Sequence, residues 1–355
     1  MEGKIMKKGT CGLKAAGLTA ILVGSVLLVG CGNSASTAAA ASSSAEPDKP
    51  SAQPESTAPA EQKEAADFSA VPEGFRIVTI GSGAPGVNPE RGNASTLVQY
   101  KDKYFLVDCG YGTCLELTKL GLPNENITNL LITHEHEDHN ADFTHFLVEG
   151  WYTTPNGRTH LNLVGPQVST LYENTYDINK DDIEGRLEVA SKQGNGVTEK
   201  GISEDVVIRD LTENDESSTL DGVAIEAQKV LHGNMNAYSY KFTADGHSVV
   251  VTGDVAYTDD LKDFYKDADI LVIDAVTMTG YFANIPEEQI EKSLGNTHMT
   301  ESQMAKLLAD TQVKNVVLTH ISGSMADYDG VVQTFKDAGY RGIVYEAYDG
   351  LSLEL

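Results

Sequence analysis

The densest chemistry in this sequence is the run Thr133-His134-Glu135-His136-Glu137-Asp138-His139. His134 and His136 stand two apart at the end of an apolar run, Leu130-Leu131-Ile132. The period-2 alternation of a strand turns both imidazoles to one side. Asp138 and His139 follow where the chain turns toward a helix, which swings a second pair of donors toward a neighbouring ion. Two nitrogens on one ion, with a carboxylate and an imidazole on the next, suit zinc or a similar borderline metal. A solvated acidic loop would hold the same residue types, but three His and one Asp at this spacing favour a metal.

Three more polar residues end apolar runs: His232 after Val230-Leu231, Asp254 after Val249–Gly253, and His320 after Val316–Thr319. The C-terminal end of a buried strand is where site residues gather. Singly, each reads equally well as a capped polar residue. Together they complete two sites, His134, His136 and His232 on one and Asp138, His139 and His320 on the other, with Asp254 between. Two ions roughly 3.5–4 Å apart acidify a shared water toward pKa ~7 and polarise an ester oxygen under attack. Asp108, at the end of Tyr104–Asp108, either orients a ligand imidazole from behind or shapes a turn. His145, His160 and His247 fit no motif.

The elements that must position these residues begin at Phe75. Arg76–Ile80 reads as a strand running into the permissive loop Gly81-Ser82-Gly83. Ser95–Tyr100 and Tyr104–Asp108 read as a hairpin, followed by a helix over Thr113–Leu120 that ends at Gly121. Further strands are expected at 130–133, 161–164, 206–211, 224–231, 238–242, 249–252, 270–274 and 316–319. Helices are expected at 259–267, 300–309 and 330–337, the second opened by a capping box of Thr300 and Gln303. Strand runs early and late, with helices interspersed, suggest two sheets face to face with helices outside.

The chain has 355 residues, 41% of them apolar, which is enough for a sizeable core and excludes a wholly disordered protein. Its net charge of −26 argues against a general binder of nucleic acid or anionic membranes. Four Cys, with no C-x-x-C pair, make neither a disulfide framework nor a zinc ribbon. Cys109 follows a buried strand and reads as a small core residue or, in an exported protein, as a disulfide partner of Cys114.

Residues 1–30 read as an export signal, with Lys4, Lys7, Lys8 and Lys14 ahead of an apolar stretch too short to span a bilayer. Leu28-Val29-Gly30-Cys31 resembles a bacterial lipobox, in which Cys31 is lipidated and becomes the mature N-terminus. Removing residues 1–30 takes four Lys and one Glu from a net −26 and leaves −29. From Gly32 to Ala70, 24 of 39 residues are Ala, Ser or Pro, a composition that cannot offset its ordering entropy and reads as a tether. The expected organisation is signal 1–30, tether 31–70 and folded domain 71–355. The expected location is the extracytoplasmic face of a bacterial membrane.

From Gly74 to Leu355 the order of motifs resembles the metallo-β-lactamase superfamily, and within it the ribonuclease Z and arylsulfatase-like branch. Besides the ligands, Ile80–Pro85, Leu106–Gly110, Leu163–Pro166, His232–Tyr240, Thr252-Gly253-Asp254 and His298-Met299-Thr300 carry the likeness. The resemblance implies an α+β fold, a four-layer αββα sandwich. It also implies a dinuclear centre of two zinc ions, or manganese or iron in their place, with a bridging hydroxide. It further places His298 beside the metals, binding or protonating the leaving group, so Asp138 and His298 are the catalytic candidates. The departures are informative. Where the ribonuclease Z branch has a His-Glu-Ala-Thr-like stretch, this chain has Ile273-Asp274-Ala275-Val276, in which Asp274 can stand for the Glu. No basic arm is present to grip tRNA: residues 165–231 hold 6 basic and 15 acidic side chains. No Cys occupies the position of Asp254, so penicillin hydrolysis is not expected.

The expected function is cleavage of small or medium anionic esters, phosphodiesters first, by an enzyme bound to the membrane through Cys31. Sulfate ester hydrolysis and ribonuclease Z-type cleavage are the enzymatic alternatives. A tethered binding protein with a vestigial metal site is the alternative from another class.

Overall fold

The computed structural model describes residues 66–152, 157–158, 160–193, 202, 206–212 and 216–355, all within the compact unit Ala60–Leu355. The signal segment, Cys31 and the tether up to residue 65 lie outside the described residues. Among the described residues no helix is long and apolar enough to cross a membrane.

Two seven-stranded mixed sheets face each other. In the first, β14 (Ser352–Glu354), β1 (Phe75–Gly81), β2 (Ser95–Tyr100), β3 (Lys103–Val107), β4 (Asn129–Leu131), β5 (Leu161–Gly165) and β6 (Val206–Asp210) lie side by side. The second runs β13 (Ile343–Glu346), β12 (Asn315–Thr319), β11 (Ile270–Asp274), β10 (His247–Val251), β9 (Ala237–Ala244), β8 (Val223–Val230) and β7 (Glu216–Leu220). Strands 3 to 6 are mutually parallel, as are 10 to 13.

The burial pattern explains the layering. In β10 and β11, Val249, Val251, Ile270 and Val272 face the space between the sheets, while Val250, Leu271 and Ile273 face outward. Both faces of these strands are covered, which is why their sequence is continuously apolar rather than alternating. Between the sheets, Phe105 and Phe242 meet at 5.6 Å between ring centroids. Outside the first sheet lie α1 (Thr113–Lys119), α2 (Phe143–Tyr152) and α3 (Val168–Gln193), packed through Leu117, Phe146 and Tyr172. Outside the second lie α4 (Leu261–Tyr265), α6 (Glu301–Thr311) and α7 (Tyr328–Ala338), packed through Tyr265, Leu307 and Phe335. Helix α5 (Glu287–Leu294) sits in the connection from β11 to α6. The result is the αββα sandwich expected from the sequence.

Helix α6 starts as read: the Thr300 hydroxyl accepts from the Gln303 N–H, and the Gln303 side chain accepts from the Thr300 N–H. The strand carrying the His cluster is shorter than expected. β4 ends at Leu131, so His134 and His136 stand on extended chain beyond it. Residues 66–70, compositionally part of the tether, pack on the domain. Arg76 donates to the Asp67 and Ala70 carbonyls and lies 4.7 Å over the Phe68 ring. Cys109 and Cys114 are both buried free thiols, so Cys109 is a core residue.

Candidate metal centre

The parallel strands of both sheets point their C-terminal ends the same way, and the polar cluster gathers there. β4 leads to His134, His136, Asp138 and His139, β8 to His232, β10 to Asp254, β11 to Asp274 and β12 to His320. One hydrogen bond ties the sheets at the critical point: the Tyr238 N–H donates to the Thr133 carbonyl at 2.9 Å. The Tyr240 hydroxyl adds a second, to the Ile132 carbonyl. The sheet carrying His232, Asp254 and His320 thereby fixes the run that carries the other four.

Two donor groups result. In the first, His134 Nε2 lies 3.0 Å from His136 Nδ1, and His232 Nε2 lies 3.2 Å from the same atom. Asp254 Oδ2 closes the group at 3.7 and 3.9 Å from the two Nε2 atoms. In the second, His320 Nε2 lies 3.1 Å from Asp138 Oδ2 and 3.3 Å from Asp254 Oδ1. His139 Nε2 lies 3.4 Å from Asp254 Oδ1 and 3.6 Å from Asp138 Oδ2. All seven predicted ligands are therefore brought together, and the two oxygens of Asp254 divide between the groups.

These donors fit a metal better than they fit one another. A tetrahedral ion bonded at about 2.0–2.1 Å holds its ligand atoms roughly 3.3 Å apart, close to the spacing found. His139 Nε2 and Asp254 Oδ1 are buried and lack a hydrogen-bond partner, which a native site does not leave without reason.

The groups behind the donors fix their tautomers. Asp108 accepts from His139 Nδ1 at 2.7 Å and from the N–H and hydroxyl of Thr133. It does so from a left-handed backbone, φ 63°, uncommon for a residue with a Cβ. His232 Nδ1 donates to the Thr297 carbonyl at 2.8 Å. Gly253, at φ +61°, leaves room for Thr133: a Cβ there would come within 2.7 Å of the Thr133 Cβ and Oγ1. Gly110 likewise lets the Asp138 carbonyl approach to 2.2 Å of where a Cβ would stand.

Asp274 is the residue whose importance the sequence only half disclosed. It is buried, its Oδ2 accepts from His298 Nδ1 at 2.5 Å, and its Oδ1 lies 3.4 Å from His320 Nδ1. The signal was present, since Asp274 ends an apolar strand as Asp254 and His320 do, and β11 lies between β10 and β12. His298 stands with its ring centroid 5.2 Å from that of His232 and 6.0 Å from that of His320, beside both groups. His145, His160 and His247 are exposed, and none belongs to a donor group.

Electrostatics follow from burying four carboxylates together. Burial opposes the charge on His320, but Asp254, Asp138 and Asp274 override it and push its pKa up to about 10. His139 rises well above the ordinary value for the same reason, burial being outweighed by Asp108 and Asp254. Asp254 is held well below the carboxylate range, because the charges of His320 and His139 outweigh its burial. His134 is pushed well below its usual value by burial and by His139. The centre calls for positive charge, and without a metal it takes protons.

Comparison with known proteins agrees with this geometry. Residues 103–321 match the family described as "Beta-lactamase superfamily domain". The chain belongs to the metallo-β-lactamase superfamily and is a metal-dependent hydrolase. A ribonuclease Z of Mycobacterium bovis (strain BCG / Pasteur 1173P2) is 27% identical over 249 residues, 69% of this chain and 85% of the relative. The metallo-β-lactamase fold protein YhfI from Bacillus subtilis superposes with TM-score 0.62 at 19% identity, over 81% of this chain and all of YhfI. Zinc-bound PqqB from Methylobacterium extorquens superposes with TM-score 0.55 at 17% identity, over 79% of this chain and all of PqqB.

Proposed function

We propose that this protein is an exported, lipid-anchored hydrolase that uses two zinc ions at this centre to cleave small anionic esters, phosphodiesters first. The observation that carries the reading is Asp254, whose two oxygens each turn into one complete donor group. An all-His and Asp donor set suits zinc, and a zinc-bound protein shares the fold. His134, His136 and His232 would hold one ion, Asp138, His139 and His320 the other, and Asp254 both. When bound, such a pair polarises the ester oxygen and lowers the pKa of a water toward ~7.

The chain's own residues then handle the leaving group. Burial opposes a charged His298, but Asp274 outweighs it and raises the pKa. Asp274 thus favours the charged form of the His298 imidazole. With Nδ1 held by Asp274, the Nε2 proton of His298 is available to the departing oxygen. Asp138 supplies a carboxylate to its donor group, and Asp108 fixes His139 behind it.

The test is a panel on the zinc-loaded domain: phosphodiester, phosphomonoester, sulfate ester, lactone, β-lactam and precursor tRNA. Turnover is expected on the small diester and little on tRNA, because the mature chain carries −29 and has no basic arm. His298→Ala should slow an alkyl leaving group by about 10²-fold or more, and nitrophenolate far less, since only the poor leaving group needs the proton. Efficient tRNA processing without diester cleavage would restore a ribonuclease reading.

The membrane assignment rests on Leu28–Cys31. Wild-type protein is expected in the membrane fraction carrying labelled fatty acid, and Cys31→Ser in the soluble fraction. Stable anchoring takes more than one acyl chain, so equal partitioning of the two forms would count against it.

A further inference from the structure

We propose that the centre selects esters whose non-leaving substituent carries no negative charge of its own, favouring neutral and aromatic groups. This rests on the ester-hydrolase reading above and narrows it.

The inference comes from the charge around the centre. The segments that carry or flank the donors are 81–93, 108–112, 132–142, 231–236, 252–260, 275–286, 295–300 and 320–327. Apart from the donors and Asp108, they hold seven carboxylates and one cation, Arg91. That arginine is committed. It pairs with Glu346 at 3.1 Å and donates to the carbonyls of Ala347 and Gly323 and to the Ser82 hydroxyl, leaving its side chain 10% exposed. Of the flanking cations, Lys292 on α5 stands with Glu287, Glu288 and Glu291, Lys262 pairs with Asp259 at 3.3 Å, and Lys306 lies over the Tyr257 ring.

A phosphodiester brings one negative charge, and the metal pair accounts for it. A second phosphate on the substrate would meet no free guanidinium among these segments. It would instead meet Glu137, exposed between His136 and Asp138, and Glu90, exposed on the first loop. Like charges at such a mouth slow encounter as well as binding.

The same segments carry exposed apolar and aromatic side chains. Val87 is 85% exposed, Tyr281 75% and Tyr111 54%. Tyr111 directly follows Gly110, whose backbone packs on Asp138. Tyr281 rides on the segment leaving Asp274, which is laced to the one leaving His320: the Gly280 N–H donates to the Ser324 carbonyl at 2.9 Å, and Thr279 bridges Met325. Large apolar side chains exposed on the segments that carry a catalytic centre gain by covering a flat, uncharged substituent.

The experiment uses the zinc-loaded domain and three diesters with one leaving group, p-nitrophenolate. Their second substituents are phenyl, 5′-thymidine, and 5′-thymidine bearing a 3′-phosphate. At low salt kcat/KM should fall in that order, with the last step at least about tenfold. High salt should narrow that step, because the Debye length shrinks from about 10 Å at 0.1 M to 3 Å at 1 M. Tyr281→Ala should raise KM for the phenyl ester while sparing kcat. Glu137→Lys should raise kcat/KM for the 3′-phosphate substrate alone. Glu90→Lys reads the same effect should the first variant lose metal. Equal cleavage of all three, or preference for the 3′-phosphate, overturns this selection and leaves the hydrolase reading standing. Cleavage of none overturns both.

Discussion

Replacing Asp254 by Ala is expected to cut turnover of a simple phosphodiester by on the order of 10³-fold. His145→Ala and His247→Ala should stay within about twofold. Among the described residues, Asp254 alone places donor atoms in both groups, one oxygen at 3.3 Å from His320 Nε2 and the other at 3.7 Å from His232 Nε2. Its loss removes a ligand from each and also the countercharge of His139 and His320. Elemental analysis should fall from about two ions per chain to at most one. Equal damage at the three positions would undo the assignment of the centre, because His145 and His247 lie outside every donor group.

The second large effect links metal, protons and stability. In the metal-free protein His320 has its pKa raised to about 10 and His139 is raised well above 6.5. A raised histidine contributes stability that is complete below the unfolded value near 6.5 and is lost as pH climbs through the folded value. Metal-free protein should therefore lose stability from about pH 6.5 toward 10. Zinc requires neutral imidazole, so loading replaces those protons and its benefit should grow over the same interval. Tm measured from pH 6 to 9.5, with chelator and with zinc, should show the gap widening upward. Calorimetry near pH 7 in buffers of different ionisation enthalpy should show release of on the order of two protons. A gap that narrows with rising pH would contradict the electrostatics of the centre.

Much of the centre was legible because its residues end apolar strands. That rule alone places His232, Asp254 and His320 with the cluster at His134–His139, and the structure gathers all seven. The same rule applied evenly would also have promoted Asp274, which ends Ile270–Ile273. The partners that fix tautomers were harder to see. Thr133 and the Thr297 carbonyl act through a hydroxyl and a backbone oxygen, groups nearly every loop contains. Strands β10 to β12 were read almost to the residue, since covered parallel strands are continuously apolar. Helix α3 was not, because much of its polar sequence is exposed and its apolar periodicity is weak. Composition alone hides the end of the tether, since residues 66–70 are held by Arg76 reaching back from a strand and by Ala66 and Phe68 packing on the core.

The division of donors between the two sheets bears on when the protein can acquire its metal. Neither donor group is complete within the first sheet: one waits for His232 and Asp254, the other for His320. A chain that crosses a membrane N-terminus first cannot complete the second donor group until His320 is across. On the proposed route, the ion is drawn from the supply outside the cell membrane, and the activity of the protein tracks the metal in its surroundings rather than the cell's internal stores.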